Sequence, residues 1–459
     1  MKINTVPIEN NTVNLSNDIL KTCQHSTLCF TIIKKIQFSG RGMILEKGAL
    51  SNSVGTVGMK RRSGNVLKYM GPAFITSALM LGPGSLTLSS KLGAIYGAQL
   101  VWAIFVAIIF MMSYTEMSTR IGLAASQSFI GVMLTKWGKL SSLLIGVGAF
   151  LVTCSFQAGN SIGTGIAMSS LTGMSPTVWI IIMSLFAIAL LFSKQFYAIL
   201  EKLMLVLVLI MLVAFLITSI VVRPSIAEMF SGFVPTIPDG SMGLIIALFA
   251  TSFSIVGAVY QSYLVQEKGW TLQDAKYGIR ESYIGIFILG FISFLVMIVA
   301  ATILKPQGLM VNNASEMGTS LEPLFGSWAM VVFMIGLFGA SFSSLIGNAT
   351  IGGSMLADGL GFGSKLTNTK VKLSIVAVIL FGSIIAIIFG SAPVNLIVFA
   401  QAITIFIVPF IAICILVVAN DKKIMGTLKN KMTSNILGVL GLLVLLYLAF
   451  NNFNNIFLS

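Results

Sequence analysis

Long apolar runs separated by short polar and basic segments make up most of this sequence. From residue 68 to the C-terminus, charge-free stretches follow one another with little interruption. A helix of about 20 apolar residues is long enough to cross the hydrocarbon core of a bilayer. Two stretches, residues 140–193 and 373–420, are long enough for two crossings each, and each contains a turn with Gly, Ser and Pro. The pattern predicts an all-α polytopic membrane protein with eleven transmembrane helices.

Composition supports a membrane protein and excludes several other classes. Hydrophobic residues make up 56% of the chain and charged residues 9%, with a mean hydropathy of +0.97. A soluble domain has about 25% charged residues, so this chain has too few to cover a soluble surface. The single histidine, His25, lies in the polar N-terminal stretch, and no HExxH motif or pair of mid-span carboxylates occurs. We therefore predict neither an enzyme nor a bound cofactor.

The basic residues predict how the chain is oriented in the membrane. The net charge is +14, but the basic residues lie in short loops between apolar runs, which argues against a nucleic-acid partner. With eleven spans, one set of loops holds only Lys91, Arg223 and Lys305, and the other set holds every other basic residue from Lys60 onward. Positively charged loops face the cytoplasm. We expect a protein of the cell membrane whose N-terminus is cytoplasmic and whose C-terminus is outside. Lipid is expected to surround it, and the sequence implies no obligate protein partner.

The first 59 residues differ from the rest of the chain. They are polar and rich in Asn and Ser, and their apolar patch, residues 29–33, is too short to span a bilayer. We predict that residues 1–59 form a mobile tail and that residues 60–459 form the transmembrane domain. An over-extended start is the alternative, because Met43 and Met59 could each begin the chain.

Two of the predicted spans contain a segment that favours unwinding. The first holds Gly82-Pro83-Gly84-Ser85, where proline lacks an N–H group and glycine is flexible. The sixth holds the small, polar stretch of residues 251–257. Unwound backbone at membrane depth persists only against protein or a water-filled cavity. Breaks five spans apart predict two inverted five-helix repeats with a substrate site between the broken helices. The repeats cover about residues 66–222 and 240–420, and an eleventh helix follows at about 432–452.

Ordered motifs along the chain resemble those of the Nramp family of divalent metal transporters. Residues 69–74 (Tyr-Met-Gly-Pro-Ala-Phe) lead into the first break, as in the family's first helix. Residues 162–164 (Ile-Gly-Thr), 232–235 (Gly-Phe-Val-Pro) and 264–266 (Leu-Val-Gln) follow in the same order. The resemblance runs from about residue 64 to the end. It implies a LeuT-like fold with helices 1 and 6 broken and, usually, proton-coupled uptake of divalent transition metals.

The chain departs from the family at the metal site. Where the family has Asp-Pro-Gly-Asn, this sequence has Gly82 and Ser85 in place of Asp and Asn, and the family's sixth-helix methionine aligns with Ser254. The resemblance implies site residues at the two breaks, at the two positions of span three where the family has an acidic pair, and in span ten. At the breaks, Leu79 and Thr251 are expected to face the site with their backbone carbonyls. These predicted substrate-binding residues are Leu79, Gly82, Ser85, Gln157, Asn160, Thr251, Ser254 and Gln401. Ser85, Ser254 and Gln401 are predicted to meet a metal through water.

The lost ligands change the chemistry that the site can perform. A methionine thioether favours transition metals, and an aspartate offsets part of a dication's charge in the membrane. Without either, a polar site suits a cation that keeps its water, and Mg²⁺ gives up water reluctantly. The residues predict a secondary transporter of an inorganic divalent cation, with Mg²⁺ as one candidate. Two alternatives stay open: a transporter of a small neutral or zwitterionic solute, and a non-transporting sensor on the same fold.

Proton coupling is a separate question, because a relay inside a membrane needs an Asp, Glu or His there. The family's sixth-helix histidine aligns with Val256, and its acidic pair in span three aligns with Gln157 and Asn160. We expect transport that is uncoupled from protons, or coupling through Glu116 or another acid at a span end.

Overall fold

The computed structural model describes residues 37–39, 42–44, 72–310, 314–389 and 407–457. The chain divides into two units, Met1–Asn65 and Val66–Ser459. In the first unit, strand β1 (Gln37–Ser39) pairs antiparallel with strand β2 (Gly42–Ile44). Apart from these two strands, the predicted mobile tail, residues 1–59, lies outside the described residues.

The described part of the second unit consists of α-helices joined by turns and short 3-10 segments, and it contains no strand. Its helices, in chain order, are α1 (Pro72–Met80), α2 (Pro83–Tyr96), α3 (Val101–Ala124), α4 (Phe129–Trp137), α5 (Lys139–Thr172), α6 (Pro176–Leu191), α7 (Phe196–Val222), α8 (Ile226–Ser231), α9 (Met242–Ser252), α10 (Ile255–Glu267), α11 (Ala275–Ile303), α12 (Ala314–Phe325), α13 (Ser327–Gly359), α14 (Thr369–Phe389), α15 (Val408–Ala419), α16 (Lys422–Met425) and α17 (Met432–Phe457). The prediction of an all-α membrane fold is confirmed.

The apolar helices agree with the predicted spans as far as the described residues reach. Eight helical segments among them are long and apolar enough to cross a bilayer, and two shorter apolar helices, α6 and α15, accompany them. The first part of the predicted tenth span lies outside the described residues, which do not include 390–406. The number of eleven crossings therefore stays a prediction.

The first predicted break lies between α1 and α2. Leu81 and Gly82 separate the two helices, and Gly82 is extended, with φ −94° and ψ 176°. Pro83 is the first residue of α2, a position where its fixed φ suits the helix and its missing N–H costs nothing. The unwinding therefore comes just before Pro83, and the proline starts the second half of the broken helix.

The second predicted break lies between α9 and α10 and needs no proline. Only Phe253 and Ser254 separate the two helices. Ser254 caps α10, since its Oγ accepts a hydrogen bond from the backbone N–H of Gly257 at 3.3 Å. A serine in this position satisfies one of the free N–H groups at a helix start. The prediction that helices 1 and 6 are broken is confirmed.

Small residues let the central helices pack closely. Gly93 of α2 lies directly on the backbone of α11, where a Cβ would be 2.2 Å from the carbonyl oxygen of Met297. Gly146 of α5 and Gly359 of α13 face each other, and a Cβ on either would lie 3.0 Å from the Cα of the other. Helices in lipid associate largely through van der Waals contacts of this kind, because lipid tails are as apolar as the side chains they meet.

We expect Gly93→Ala to destabilise the transmembrane domain. The added methyl group would collide with the Met297 carbonyl, which belongs to the backbone of a packed helix. Overpacking of this kind costs about 1–3 kcal/mol, so the apparent melting temperature of the purified protein in detergent should fall by several degrees.

Gly243→Ala is the matched control for this variant. Outside its own stretch of α9, no atom of the described residues lies within 4 Å of where the Gly243 Cβ would be. Equal melting temperatures for the two variants would contradict the packing assigned to Gly93.

Candidate functional site

A cavity of about 70 Å³ lies where the two breaks meet. Its walls come from α1, α2, α5, α9, α13 and the segment before α10. The residues that line it carry no formal charge: Leu79, Met80, Gly82, Gly84, Ser85, Ser155, Phe156, Ala158, Gly159, Asn160, Ala250, Thr251, Ser254 and Asn348. The cavity is therefore neutral, apart from the partial charges of the helix ends that meet there.

Most of the predicted site residues line this cavity. They come from both broken helices and from α5: Leu79, Gly82, Ser85, Asn160, Thr251 and Ser254. Gln157 is fully buried but is not among the lining residues, and its Nε2 donates to the Leu345 carbonyl at 2.8 Å. Gln401 lies outside the described residues. The binding roles of all eight residues stay predictions.

Three side chains of α13 bond the free carbonyls at the end of α1. Ser343 Oγ donates to the Ala78 carbonyl at 2.9 Å. The Leu79 carbonyl accepts from Ser344 Oγ at 3.1 Å and from Asn348 Nδ2 at 3.3 Å. Because α1 ends at the next residue, these carbonyls have no partner within the helix. Both lone pairs of the Leu79 carbonyl are used, so a cation bound directly to it would displace one of these donors.

Asn160 presents its amide oxygen to the first break. Its Nδ2 donates to the Ser344 carbonyl at 3.2 Å and to Gln157 Oε1 at 3.4 Å. With the amide nitrogen held by these groups, Oδ1 faces Gly82, where a Cβ would lie 3.0 Å from it. The same Cβ would lie 3.1 Å from Ser344 Oγ, so a larger residue at position 82 would crowd this wall.

The hydroxyl groups at the cavity are partly engaged by nearby backbone groups. Ser85 Oγ donates to the Met80 carbonyl at 3.2 Å, and Thr251 Oγ1 donates to a carbonyl of α9 at 3.1 Å. Ser254 Oγ accepts the capping hydrogen bond of α10. Each of these oxygens keeps at least one lone pair, because a hydroxyl can accept two hydrogen bonds. Neutral hydroxyl and amide oxygens suit a hard cation that retains part of its water.

Eight residues of the cavity wall were not predicted from the sequence, and Asn348 and Met80 are two of them. Asn348 lies four residues after Ser344 on α13, and this spacing of polar residues along one helix face could have marked it. Met80 is an apolar residue in an apolar run and gives no such signal. Within the part of the chain that the structure describes, no group of three or more His, Cys, Asp or Glu side chains could hold a metal ion.

Three acidic side chains of the spans are engaged by partners away from the cavity. Glu116 pairs with Arg120 at 3.3 Å, and Glu201 forms an ion pair with Lys268. Asp358, at the end of α13, accepts a hydrogen bond of 2.6 Å from a tyrosine hydroxyl of α10. None of these three acids lines the described cavity.

Glu281 is the most deeply buried acid of the described residues. Its side chain is in the second turn of α11, and its Oε1 accepts from the backbone N–H of Ala73 at 3.1 Å, at the start of α1. A carboxylate is favoured at the positive end of a helix.

Outside the spans, the hydrogen bond from Lys136 holds the pKa of the Asp421 carboxyl group below its usual range.

Known proteins resemble the chain in sequence over most of its length. Residues 73–454 match the family model described as natural resistance-associated macrophage protein-like, Nramp. The divalent metal cation transporter MntH of Deinococcus radiodurans is 25% identical over 401 residues, which cover 85% of this chain and 89% of that protein. The natural resistance-associated macrophage protein 2 homolog of Dictyostelium discoideum is 23% identical, over 80% of this chain and 60% of that protein.

Solved structures share the fold. A crystal structure of the manganese transporter of Eremococcus coleocola superposes with a TM-score of 0.69 at 17% identity, covering 85% of this chain and 87% of that one. MhsT in complex with L-phenylalanine superposes with a TM-score of 0.53 at 14% identity, covering 82% of this chain and 98% of that one. At such identities the likeness shows the fold alone, a LeuT-like one. Because the family model matches most of the chain, this protein belongs to the Nramp family of divalent metal cation transporters and is a multi-pass membrane protein.

Proposed function

We propose that this protein moves a divalent metal cation across the membrane by alternating access, and that the cation keeps part of its water shell at the midplane. The proposal rests mainly on one observation: the cavity between the two breaks is lined by apolar side chains such as Phe156 and Ala250 together with hydroxyl, amide and backbone groups, and by no charged residue. Family membership supports the cation as cargo. The neutral lining supports retained water.

The retained water follows from the cost of dehydration. A dication that gave up its water at the midplane would lose its hydration energy, and partial charges alone would offset little of that loss. The Leu79 carbonyl is bonded to α13 at both of its lone pairs, and the first break holds Gly82 and Ser85 instead of acids. A volume of about 70 Å³ holds a few water molecules. These waters bridge the cation to the oxygens of Ser85, Asn160 and Ser254.

Mg²⁺ is the cation that this arrangement favours. It is a hard ion that prefers oxygen ligands and usually stays bound to several waters in protein sites. An amino-acid-sized zwitterion fits less well, because sites for small organic ligands usually exceed about 300 Å³. The proposal also includes the membrane orientation that the basic loops predict, with the N-terminus in the cytoplasm and the C-terminus outside.

Uptake into proteoliposomes tests the proposal directly. We expect indicator-loaded vesicles with the full chain to take up Mg²⁺ faster than protein-free vesicles, and parallel assays with Mn²⁺, Fe²⁺ and Ca²⁺ define the selectivity. If none of the four cations moves, the transport proposal is wrong. If only the other ions move, the Mg²⁺ assignment is wrong.

Ser85→Asp should strengthen Mn²⁺ binding. The side chain at position 85 lines the cavity at the start of α2, and a carboxylate there adds a negative ligand close to a bound dication. Charge attraction is strong at a site of low dielectric constant, so we expect a gain of about tenfold or more in affinity by titration calorimetry, as ligand charge tunes other cation sites. Ser85→Asn has the same shape without the charge and restores the family's amide at this position, so any gain there should be smaller. A gain in neither variant would count against Ser85 as a site residue, and an equal gain in both would show that charge is not its cause.

Transport without proton movement is the expected behaviour, because no residue that lines the described cavity is an acid or a histidine. In vesicles that enclose a pH-sensitive dye, cation uptake should leave the internal pH unchanged. Acidification driven by the cation would refute uncoupled transport. Loss of that acidification in Glu116→Gln would then assign the coupling to Glu116.

A further inference from the structure

One methionine lies in the wall of the cavity, beside its hydroxyl and amide groups. Met80 is the only sulfur-containing residue among those that line the described cavity. It is the last residue of α1, at the edge of the first break, and it is 8% exposed. Met80 is therefore a buried residue of the cavity wall and not part of the lipid-facing surface.

The Met80 side chain reaches from the first broken helix to the second. A Cβ on Gly257 of α10 would lie 3.1 Å from Met80 Sδ and 3.3 Å from Ser254 Oγ. The thioether and the Ser254 hydroxyl thus approach the same point in the first turn of α10. Glycine at position 257 leaves the space that the thioether occupies.

The backbone of the first break fixes where this side chain starts. The Met80 carbonyl accepts from the backbone N–H of Gly82 at 3.0 Å and from Ser85 Oγ at 3.2 Å. Met80 is therefore held on the cavity edge by the same contacts that shape the break. The Met80 side chain is unbranched and flexible, so its sulfur can change position while the backbone stays in place.

We propose that Met80 is a selectivity-determining ligand, whose thioether binds soft divalent cations such as Cd²⁺ and Zn²⁺ beside the Ser254 hydroxyl. Thioether sulfur binds soft metals and gives little to a hard ion such as Mg²⁺. The cavity then offers two kinds of ligand: neutral oxygens and water for a hard cation, and one sulfur for a soft cation. This inference rests on the proposed transport of a divalent cation and extends it to the range of cations accepted.

Met80→Leu tests the sulfur with little change in volume, since swaps of Met for Leu are well tolerated in packed interiors. Proteoliposomes take up Cd²⁺ and Mg²⁺ in parallel assays, and the readout is the ratio of the two rates. We expect the ratio of Cd²⁺ to Mg²⁺ uptake to fall about tenfold, as loss of one metal-supporting group typically costs at least that factor in affinity. Met111→Leu is the matched control, because Met111 is fully buried in α3 and is not among the lining residues.

Calorimetric titration of the purified full chain with Cd²⁺ separates this inference from the transport proposal, because binding needs no flux. Weaker Cd²⁺ binding in Met80→Leu than in Met111→Leu supports the thioether as a ligand, even if no cation is transported. Equal Cd²⁺ affinities in the two variants, or an unchanged uptake ratio in Met80→Leu, would overturn it. An equal loss of Cd²⁺ and Mg²⁺ uptake would also overturn it, since that result assigns Met80 a packing role.

Discussion

The free carbonyls at the end of α1 need hydrogen bonds inside the membrane, and α13 supplies them. Unpaired backbone groups cost several kcal/mol in hydrocarbon. Ser343, Ser344 and Asn348 donate to the carbonyls of Ala78 and Leu79. The first break is stable because α13 presents these donors at the right depth. The cavity depends on the same contact, since Asn348 forms part of its wall.

The unpaired backbone groups at the two breaks obtain hydrogen bonds in different ways. At the first, a neighbouring helix bonds the carbonyls, and Pro83 begins α2 without leaving an unpaired N–H. At the second, Ser254 caps α10 with its own side chain. In both cases the end of one helix and the start of the next face the cavity, so partial charges of both signs meet there. A neutral site can therefore still orient water and attract a cation.

The distribution of acidic groups complements the neutral site. Glu201 and Asp358 bond to partners near helix ends, and Glu281 accepts from the first turn of α1. These carboxylates stabilise the ends and contacts of the helices and leave the described cavity without formal charge. In the proposed transport, a dication in the cavity meets partial charges and the Met80 thioether but no formal charge.

Apolar length and charge spacing determine the membrane class and the helical fold, because a spanning segment must satisfy its backbone groups internally. The Gly-Pro-Gly-Ser segment and the small polar stretch of residues 251–257 mark the two points of unwinding. Most of the site residues predicted from the sequence line the cavity, since Gly82, Ser85 and Ser254 lie at the breaks themselves. Contacts between helices far apart in the chain were decided only by the tertiary structure. Asn348 meets the Leu79 carbonyl across 269 positions of sequence, and Met80 reaches α10 through a space that glycine leaves open. No local pattern encodes such pairs, because they depend on how the helices pack.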